Sequence, residues 1–482
     1  MEAKSLYLKT VCFQMNCERD AKMNSKLNIY HNEMVEELQA VVRIKSVEDY
    51  STASKGKPFG EGPYNVLDYV LNLCERLGMN TTNMDGYVGY AEVGEGDEMI
   101  ALLTHLDVVP EGELDNWEFP PYSATIKDGM IFGRGVSDNK SPAIASIYAL
   151  KSLMDSKTEF NKRVRLIFGA NEESGFECMK HYVRHGEIPT IGFTPDAMFP
   201  IVHGEKGITQ LLFKYDLKQL EHVELIDLVG GNAPNNVPDK CVLTVKPNNV
   251  TKLVDEVNQF LKDNEYSGKV TVSGDKVVVV IYGQSAHAST PEEGINSIAQ
   301  MLRLMEECDM NFEFVRAYNK KIGLCYDGFL MNCNFKDEYG ILTMNVGLVE
   351  VDSNRINFTI DVRYPISLTI EDIFEPMKES LNAVGFDIET IINKDPIFYE
   401  LDNPIIQSLV SAYREVTNDN VNQPMTMGGG TYARAMPNLV AFGGMFPNEQ
   451  SNAHQPNEFI SINRFFEQTE IYIKAIQNLL NL

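Results

Sequence analysis

Long apolar runs are missing from this 482-residue chain. None approaches the ~20 residues that cross a bilayer, so no membrane partner is expected. Basic residues are scarce: 42 Lys and Arg stand against 68 Asp and Glu, a net charge of −26. Such a surface repels phosphodiester backbones and anionic lipids, which argues against nucleic acid as a partner. Cysteine is thinly used. The eight (Cys12, Cys17, Cys74, Cys178, Cys241, Cys308, Cys325 and Cys333) include no Cys-x-x-Cys pair, and the chain is far longer than a disulfide-stapled domain. Reduced thiols and a cytoplasmic location are the expectation. No small-x-small cleavage site follows the mildly apolar stretch 6–15, so residues 1–22 read as a poorly ordered N-terminal extension rather than a leader. Low-complexity tracts and repeat arrays are also absent.

Hydrophobic residues make up 44% of the chain and charged residues 23%, a globular composition at a length that needs two or three domains. From residue 25 to 196 helical and strand patterns alternate. Helices are expected at 25–45, 62–77, 140–155 and 175–186, a hairpin at 81–93, and strands at 99–106, 130–133, 163–170 and 190–195. Apolar strands separated by helices read as an α/β sandwich around a mostly parallel sheet. After Pro200 the rhythm changes. Strand-like segments 207–217, 241–246, 268–282, 341–350 and 353–363 alternate with helical stretches 250–264, 294–308 and 369–384. They suggest an inserted α+β domain, 201–399, built of two ferredoxin-like halves. Helix 403–416, strand 438–442 and helix 458–480 then return to the first domain, which spans 23–200 and 400–482.

The apolar run Met99–Leu103 ends on Thr104-His105-Leu106-Asp107. Side chains two apart on a strand share a face, so His105 and Asp107 can look into one site at a strand's carboxyl end, where open α/β sheets place their chemistry. A neutral imidazole ligates divalent ions and a carboxylate can hold its orientation; a strand end meeting a polar loop gives the same pattern. Asp138, in Gly133-Arg134-Gly135-Val136-Ser137-Asp138, is either a helix cap or, beside His105, a carboxylate bridging two metals. Glu172 and Glu173 follow strand 163–170. They are either a first-turn acidic pair favoured by the helix dipole or a divided pair, one binding metal and the other moving a proton. Asp196 closes the next strand.

Among the eight histidines, His454 lies in a polar loop before the last helix and suits a ligand. His287 lies on a small-residue turn, Gly283 to Ser289, that lets a substrate approach. His181 and His185 sit four apart on a helix, but lack the Glu of a His-Glu-x-x-His motif and read as a solvated face. His31 and His222 read as surface residues; His203 is ambiguous.

Taken in order, His105-Leu106-Asp107, Gly133-Arg134-Gly135 with Asp138 and Lys140, Glu172-Glu173, Asp196, Gly283-x-x-x-His287 and His454 resemble the M20 metallopeptidase family. The resemblance runs from about Met23 to the end. The loop Gly428-Gly429-Gly430-Thr431-Tyr432 is similar to the PepV-like (Sapep-like) dipeptidase branch, and Tyr432 stands where many deacylating relatives have an aspartate. The resemblance implies a metal-dependent dipeptidase acting on short unblocked peptides, with hydrolysis of N-acyl or N-succinyl amino acids as the alternative. It implies two divalent ions, zinc first with manganese or cobalt as alternatives. Asp138 would bridge, His105 and Asp196 would bind one ion, and Glu173 and His454 the other. Asp107 would orient His105, and Glu172 would be general base and acid. From the inserted lid, His287 would donate to the oxyanion with Asn236 nearby. Arg363, helped by the amides of Gly429 and Gly430, would hold the substrate's terminal carboxylate. In dimeric relatives the lid is about half this size and the histidine comes from the neighbouring subunit. The longer lid here implies that one chain is active alone.

Overall fold

The structure, a computed structural model, describes residues 27–449 and 452–482; the expected extension, residues 1–22, lies outside them. Helix α1 covers residues 27–43. In α2 (Glu61–Arg76), Val66, Leu67, Val70, Leu73 and Cys74 recur at helical spacing on one buried face. The hairpin β1 (Asn80–Met84) and β2 (Val88–Val93) follows, then β3 (Met99–His105), α3 (Ser141–Asp155), β4 (Arg163–Gly169), α4 (Glu177–His185), β5 (Ile191–Thr194) and β6 (Val202–Glu205). The next run holds β7 (Gly207–Asp216), β8 (Val223–Gly230), β9 (Lys240–Pro247), α5 (Val250–Asp263), β10 (Gly268–Ser273), β11 (Lys276–Tyr282), α6 (Ser297–Glu307) and α7 (Glu313–Lys321). It ends with β12 (Thr343–Asp352), β13 (Arg355–Tyr364), α8 (Ile370–Asn382) and β14 (Asp387–Lys394). Last come α9 (Pro404–Thr417), β15 (Leu439–Ala441) and α10 (Ile462–Leu480).

Two compact units divide the chain: Met1–His203 with Tyr399–Met425 and Thr431–Leu482, and Gly204–Phe398 with Thr426–Gly430. In the first, the sheet order is β1-β2-β4-β3-β5-β15-β6. Its central strands β4, β3, β5 and β15 run parallel, and its outer pairings are antiparallel. All seven residues of β3 are buried. A strand with parallel neighbours on both sides and both faces covered must be apolar throughout, which is why the run 99–103 reads so clearly. Helix α10 packs against α3 and α9.

The second unit is one eight-stranded antiparallel sheet, β10-β11-β9-β8-β12-β13-β7-β14. Alternate residues such as Leu243 and Val245, Val277 and Val279, and Phe358 and Ile360 turn to a core shared with Leu253 and Val257 of α5, Leu302 of α6 and Met377 of α8. The segment Thr426–Gly430 belongs to this unit although the sequence pattern leaves it with the other. Lys206 N–H donates to the Met427 carbonyl (2.9 Å), Thr426 Oγ1 to that of Tyr339 (3.4 Å) and Arg363 Nη1 to that of Gly428 (2.8 Å). Among the described residues no helix is long and apolar enough to cross a membrane.

Leu102 is fully buried in β3, three residues before His105. Leu102→Ala should therefore destabilise the first unit by about 2–5 kcal/mol, read as a lowered urea midpoint.

Candidate metal centre

Because β3, β4 and β5 are parallel and adjacent, their carboxyl ends share one edge of the sheet. His105 is the last residue of β3, Glu172 and Glu173 follow β4, and Asp196 follows β5. Asp138 comes from the wide turn Val136–Lys140 ahead of α3, and His454, with φ +63°, from the loop before α10. The first unit thus brings together all five expected ligands, with Asp107 and Glu172.

Two imidazoles flank Asp138. His105 Nε2 lies 2.9 Å from Asp138 Oδ1, and His454 Nε2 lies 3.2 Å from Oδ2. A second carboxylate stands beside each ring: Asp196 Oδ1 is 3.8 Å from His105 Nε2, and Glu173 Oε2 is 3.1 Å from His454 Nε2. Among the described residues His105, Asp138 and Glu173 offer ligand atoms all within 4.8 Å of one another. His105 is buried, while Asp138, Glu173 and Asp196 are half-buried and His454 is exposed on one side.

Asp107 meets both His105 and the turn that carries the glutamates. His105 Nδ1 is 3.1 Å from the Asp107 carbonyl oxygen and 3.6 Å from its carboxylate. Main chain therefore orients the ring, while Asp107 Oδ2 accepts the Glu173 N–H at 3.0 Å. The Asp107 carboxylate thereby fixes the turn that carries both glutamates. Asn139, which the motif reading passes over, donates from Nδ2 to the Pro195 carbonyl (2.8 Å) and to Asp196 Oδ1 (3.2 Å). Its place next to Asp138 is the one signal the sequence carries. Tyr432 packs behind these residues. It is fully buried, with its hydroxyl 2.9 Å from Cys178 Sγ and its ring edge-on to His105. Gly169 at the end of β4 leaves the space the phenol fills, since a Cβ there would lie 2.1 Å from the hydroxyl. Tyr432 thus backs the His105 ring.

Charge tests whether cations fit this donor set. With Nδ1 donating to a carbonyl, His105 Nε2 turns either a lone pair or a proton toward Asp138. Burial opposes the charged ring, but Asp107, Asp138 and Asp196 outweigh it and raise the His105 pKa well above its usual value. Burial also opposes charge on His454, yet Asp138 and Glu173 lift it to about 11. Burial and the charge of Asp138 raise Glu173 to about 7, and burial with Asp196, Glu173 and Asp138 raises Glu172 well above the carboxylate range. Two imidazoles overcome burial to hold Asp138 far below it. Imidazole nitrogens and carboxylate oxygens that need protons to coexist are a set divalent cations satisfy.

The second unit carries the remaining expected residues. Asn236 and His287 face each other in a short antiparallel bridge. His287 Nδ1 accepts from Ser289 Oγ (2.6 Å) and Ser289 N–H (3.1 Å), which leaves the ring proton on Nε2. Asn236 Oδ1 accepts from Ser285 Oγ at 2.9 Å. Arg363 is 4% exposed and already paired, with Nε and Nη2 on the two oxygens of Asp361 (2.5 and 3.2 Å) and Nη1 on the Gly428 carbonyl. The chain bends at Gly428 and Gly429, and Gly430 is exposed. Arg355, the other arginine of β13, pairs with the exposed Asp216.

Residues 101–478 match the peptidase family M20/M25/M40. A Staphylococcus haemolyticus protein named provisionally as a dipeptidase is 36% identical over 468 residues, 94% of this chain and 98% of its own. A Staphylococcus epidermidis protein named in the same way is 35% identical over 462 residues, 93% and 97% of the two chains. Among solved structures, human carnosine dipeptidase 1 aligns with a TM-score of 0.57 at 15% identity, covering 96% of this chain and 99% of its own. The di-peptidase Dug1p from Saccharomyces cerevisiae aligns at 0.58 and 13%, with the same coverage. At these identities the likeness is one of fold, and the fold is the mixed α/β class expected from the sequence.

Metal uptake should depend on pH with a definite sign. The carboxylates beside both imidazoles favour their protonated form, so a cation must compete with protons and acid must oppose binding. The apparent Zn²⁺ affinity between pH 6 and 8 should rise roughly tenfold per pH unit for each proton displaced, measured by chelator competition. A flat affinity would remove the histidines from the ligand set.

Proposed function

Because the chain belongs to the M20/M25/M40 peptidase family, we propose that it is a metal-dependent dipeptidase hydrolysing unblocked dipeptides at the centre around Asp138. One observation carries the reading: each Asp138 oxygen faces its own imidazole, with a further carboxylate beside each ring. That symmetry supports a pair of cations sharing Asp138. His105 and Asp196 would hold one; Glu173 and His454 would hold the other. Bound there, divalent ions, zinc foremost with manganese or cobalt as alternatives, would supply Lewis acidity, lowering the pKa of a water and polarising a carbonyl.

The chain's own residues move the proton. Glu172 takes it from the attacking water as the carbon–oxygen bond forms, and returns it to the departing amine as the carbon–nitrogen bond breaks. Its placement supports this: it follows strand β4 beside Glu173, and burial with the charges of Asp196, Glu173 and Asp138 raises its pKa. For His287 we propose donation from Nε2 to the developing oxyanion, in the tautomer its Ser289 contacts leave it, a role worth about 3–4 kcal/mol in well-studied enzymes. Asn236 would lie nearby. Arg363 has most of its fork engaged by Asp361 and Gly428. Its part in holding the substrate's terminal carboxylate then runs largely through the glycine segment it fixes, whose Gly429 and Gly430 amides are the proposed donors. A single cytoplasmic chain is the proposed working unit, since it carries both the carboxylate centre and His287.

Glu172→Ala should keep its full metal content and lose nearly all turnover, measured by elemental analysis beside a dipeptide assay. His287→Ala should likewise retain metal while turnover falls. Substantial activity in the first variant, or metal loss in the second, would refute the role given to each.

Substrate choice is open to a direct comparison. Free dipeptides should be hydrolysed much faster than longer peptides and than N-acetyl or N-succinyl amino acids, with activity per chain unchanged on dilution. Preference for the acylated amino acids would identify a deacylase using the same centre.

A further inference from the structure

Glu458 lies four residues after His454, and its carboxylate is buried, with 1% exposure. Four donors converge on it. Arg134 Nη1 (2.8 Å) and the Gly135 N–H (2.9 Å) reach Oε2; the Ser137 N–H (2.9 Å) and the Asp138 N–H (3.1 Å) reach Oε1. The contact continues along both segments. The Glu458 carbonyl accepts the Gly133 N–H at 2.9 Å, and Arg134 Nη1 lies 3.3 Å from the Gln455 carbonyl. The Arg134 guanidinium sits over the Trp117 ring, 5.2 Å from its centroid. Gly135, at φ +78°, brings the turn so close to the end of β3 that a Cβ would lie 2.3 Å from Val108 Cγ1.

Asp138 is consequently held at both ends by one five-residue segment. His454 faces its carboxylate, and Glu458 takes its main-chain N–H. We propose that Glu458, paired with Arg134, is a positioning residue that sets the spacing between the Asp138 carboxylate and the His454 ring, and through it the affinity for divalent cations. The proposal rests on the reading of Asp138 and His454 as ligands.

The chemistry calls for a carboxylate here. Only an acceptor-only group with two oxygens can take four converging donors. Glutamine would turn an NH₂ toward either the Ser137 and Asp138 N–H groups or Arg134, and a shorter residue would orphan those N–H groups in a buried turn. The turn would then shift, and Asp138 with it.

The test is Co²⁺ titration of the full chain, followed by visible absorption and chelator competition, with circular dichroism and thermal melting of the metal-free protein alongside. Glu458→Gln should fold, bind Co²⁺ roughly 10–100-fold more weakly, and show an altered visible spectrum at saturation. Arg134→Lys keeps a cation but loses the fork, and should shift affinity and spectrum in the same direction by less. A folded Glu458→Gln protein with wild-type affinity and spectrum would overturn the proposal. If that variant does not fold, unchanged Co²⁺ binding by Arg134→Lys would overturn it instead. Wild-type protein that binds Co²⁺ no better than Asp138→Ala would remove the metal-centre reading itself, and this proposal with it.

Discussion

Like charge in a confined space is the constraint that everything around Asp138 answers to. Asp138, Asp196, Glu172 and Glu173 come within mutual electrostatic reach in a half-buried setting. At an effective dielectric of about 20, two such charges 4 Å apart repel by about 4 kcal/mol. The carboxylates favour the protonated form of His105 and His454, and burial with like charge lifts the pKa values of Glu172, Glu173 and Asp196. The Nε2 atoms of both rings face these carboxylates, at the place proposed for the cations.

The fold holds such a repulsive cluster together by building it from main chain that cannot retreat. Three segments that carry proposed ligands leave adjacent parallel strands at one edge, so their separation is set by strand spacing rather than by side-chain choice. The turn carrying the glutamates is pinned by Asp107, and Asp196 is pinned by Asn139. Behind His105 the Tyr432 ring fills the gap at Gly169. The cluster can thus tolerate like charges because contacts outside it fix His105, Asp138, Asp196 and the Glu173 main chain.

Much of this is legible in the sequence, for a physical reason. A strand buried on both faces leaves an uninterrupted apolar run, so the polar residue that ends it stands out, as His105 does after 99–103. Other parts are hidden. Strand Val223–Gly230 escapes the period-two reading because a bulge between Leu225 and Asp227 breaks its alternation. Strand Asp387–Lys394 lies at a sheet edge and is mostly exposed, so few apolar residues mark it. Tyr432 could not be placed from its motif, because its burial depends on a glycine more than 250 residues away. Glu458 and Asn139 act on distant segments, and no residue pattern records which N–H, carbonyl or carboxylate a buried side chain will meet.

Two buried arginine–carboxylate pairs show what such groups contribute. Arg134–Glu458 and Arg363–Asp361 are both almost wholly removed from water. A buried ion pair is weak evidence for stability, since desolvation can cancel its Coulomb energy, although breaking one by removing a partner typically costs about 3–5 kcal/mol. Their contribution here is to main-chain placement. In the first pair the carboxylate has oxygen capacity left over, and it takes the N–H groups of Gly135, Ser137 and Asp138. In the second the guanidinium has a donor left over, and it takes the carbonyl of Gly428. A neutral apolar pair could fill either space, but it would leave these loop groups to find partners elsewhere. Each ion pair thus converts buried charge into a fixed loop, one carrying a proposed metal ligand and the other the glycines proposed to meet the substrate.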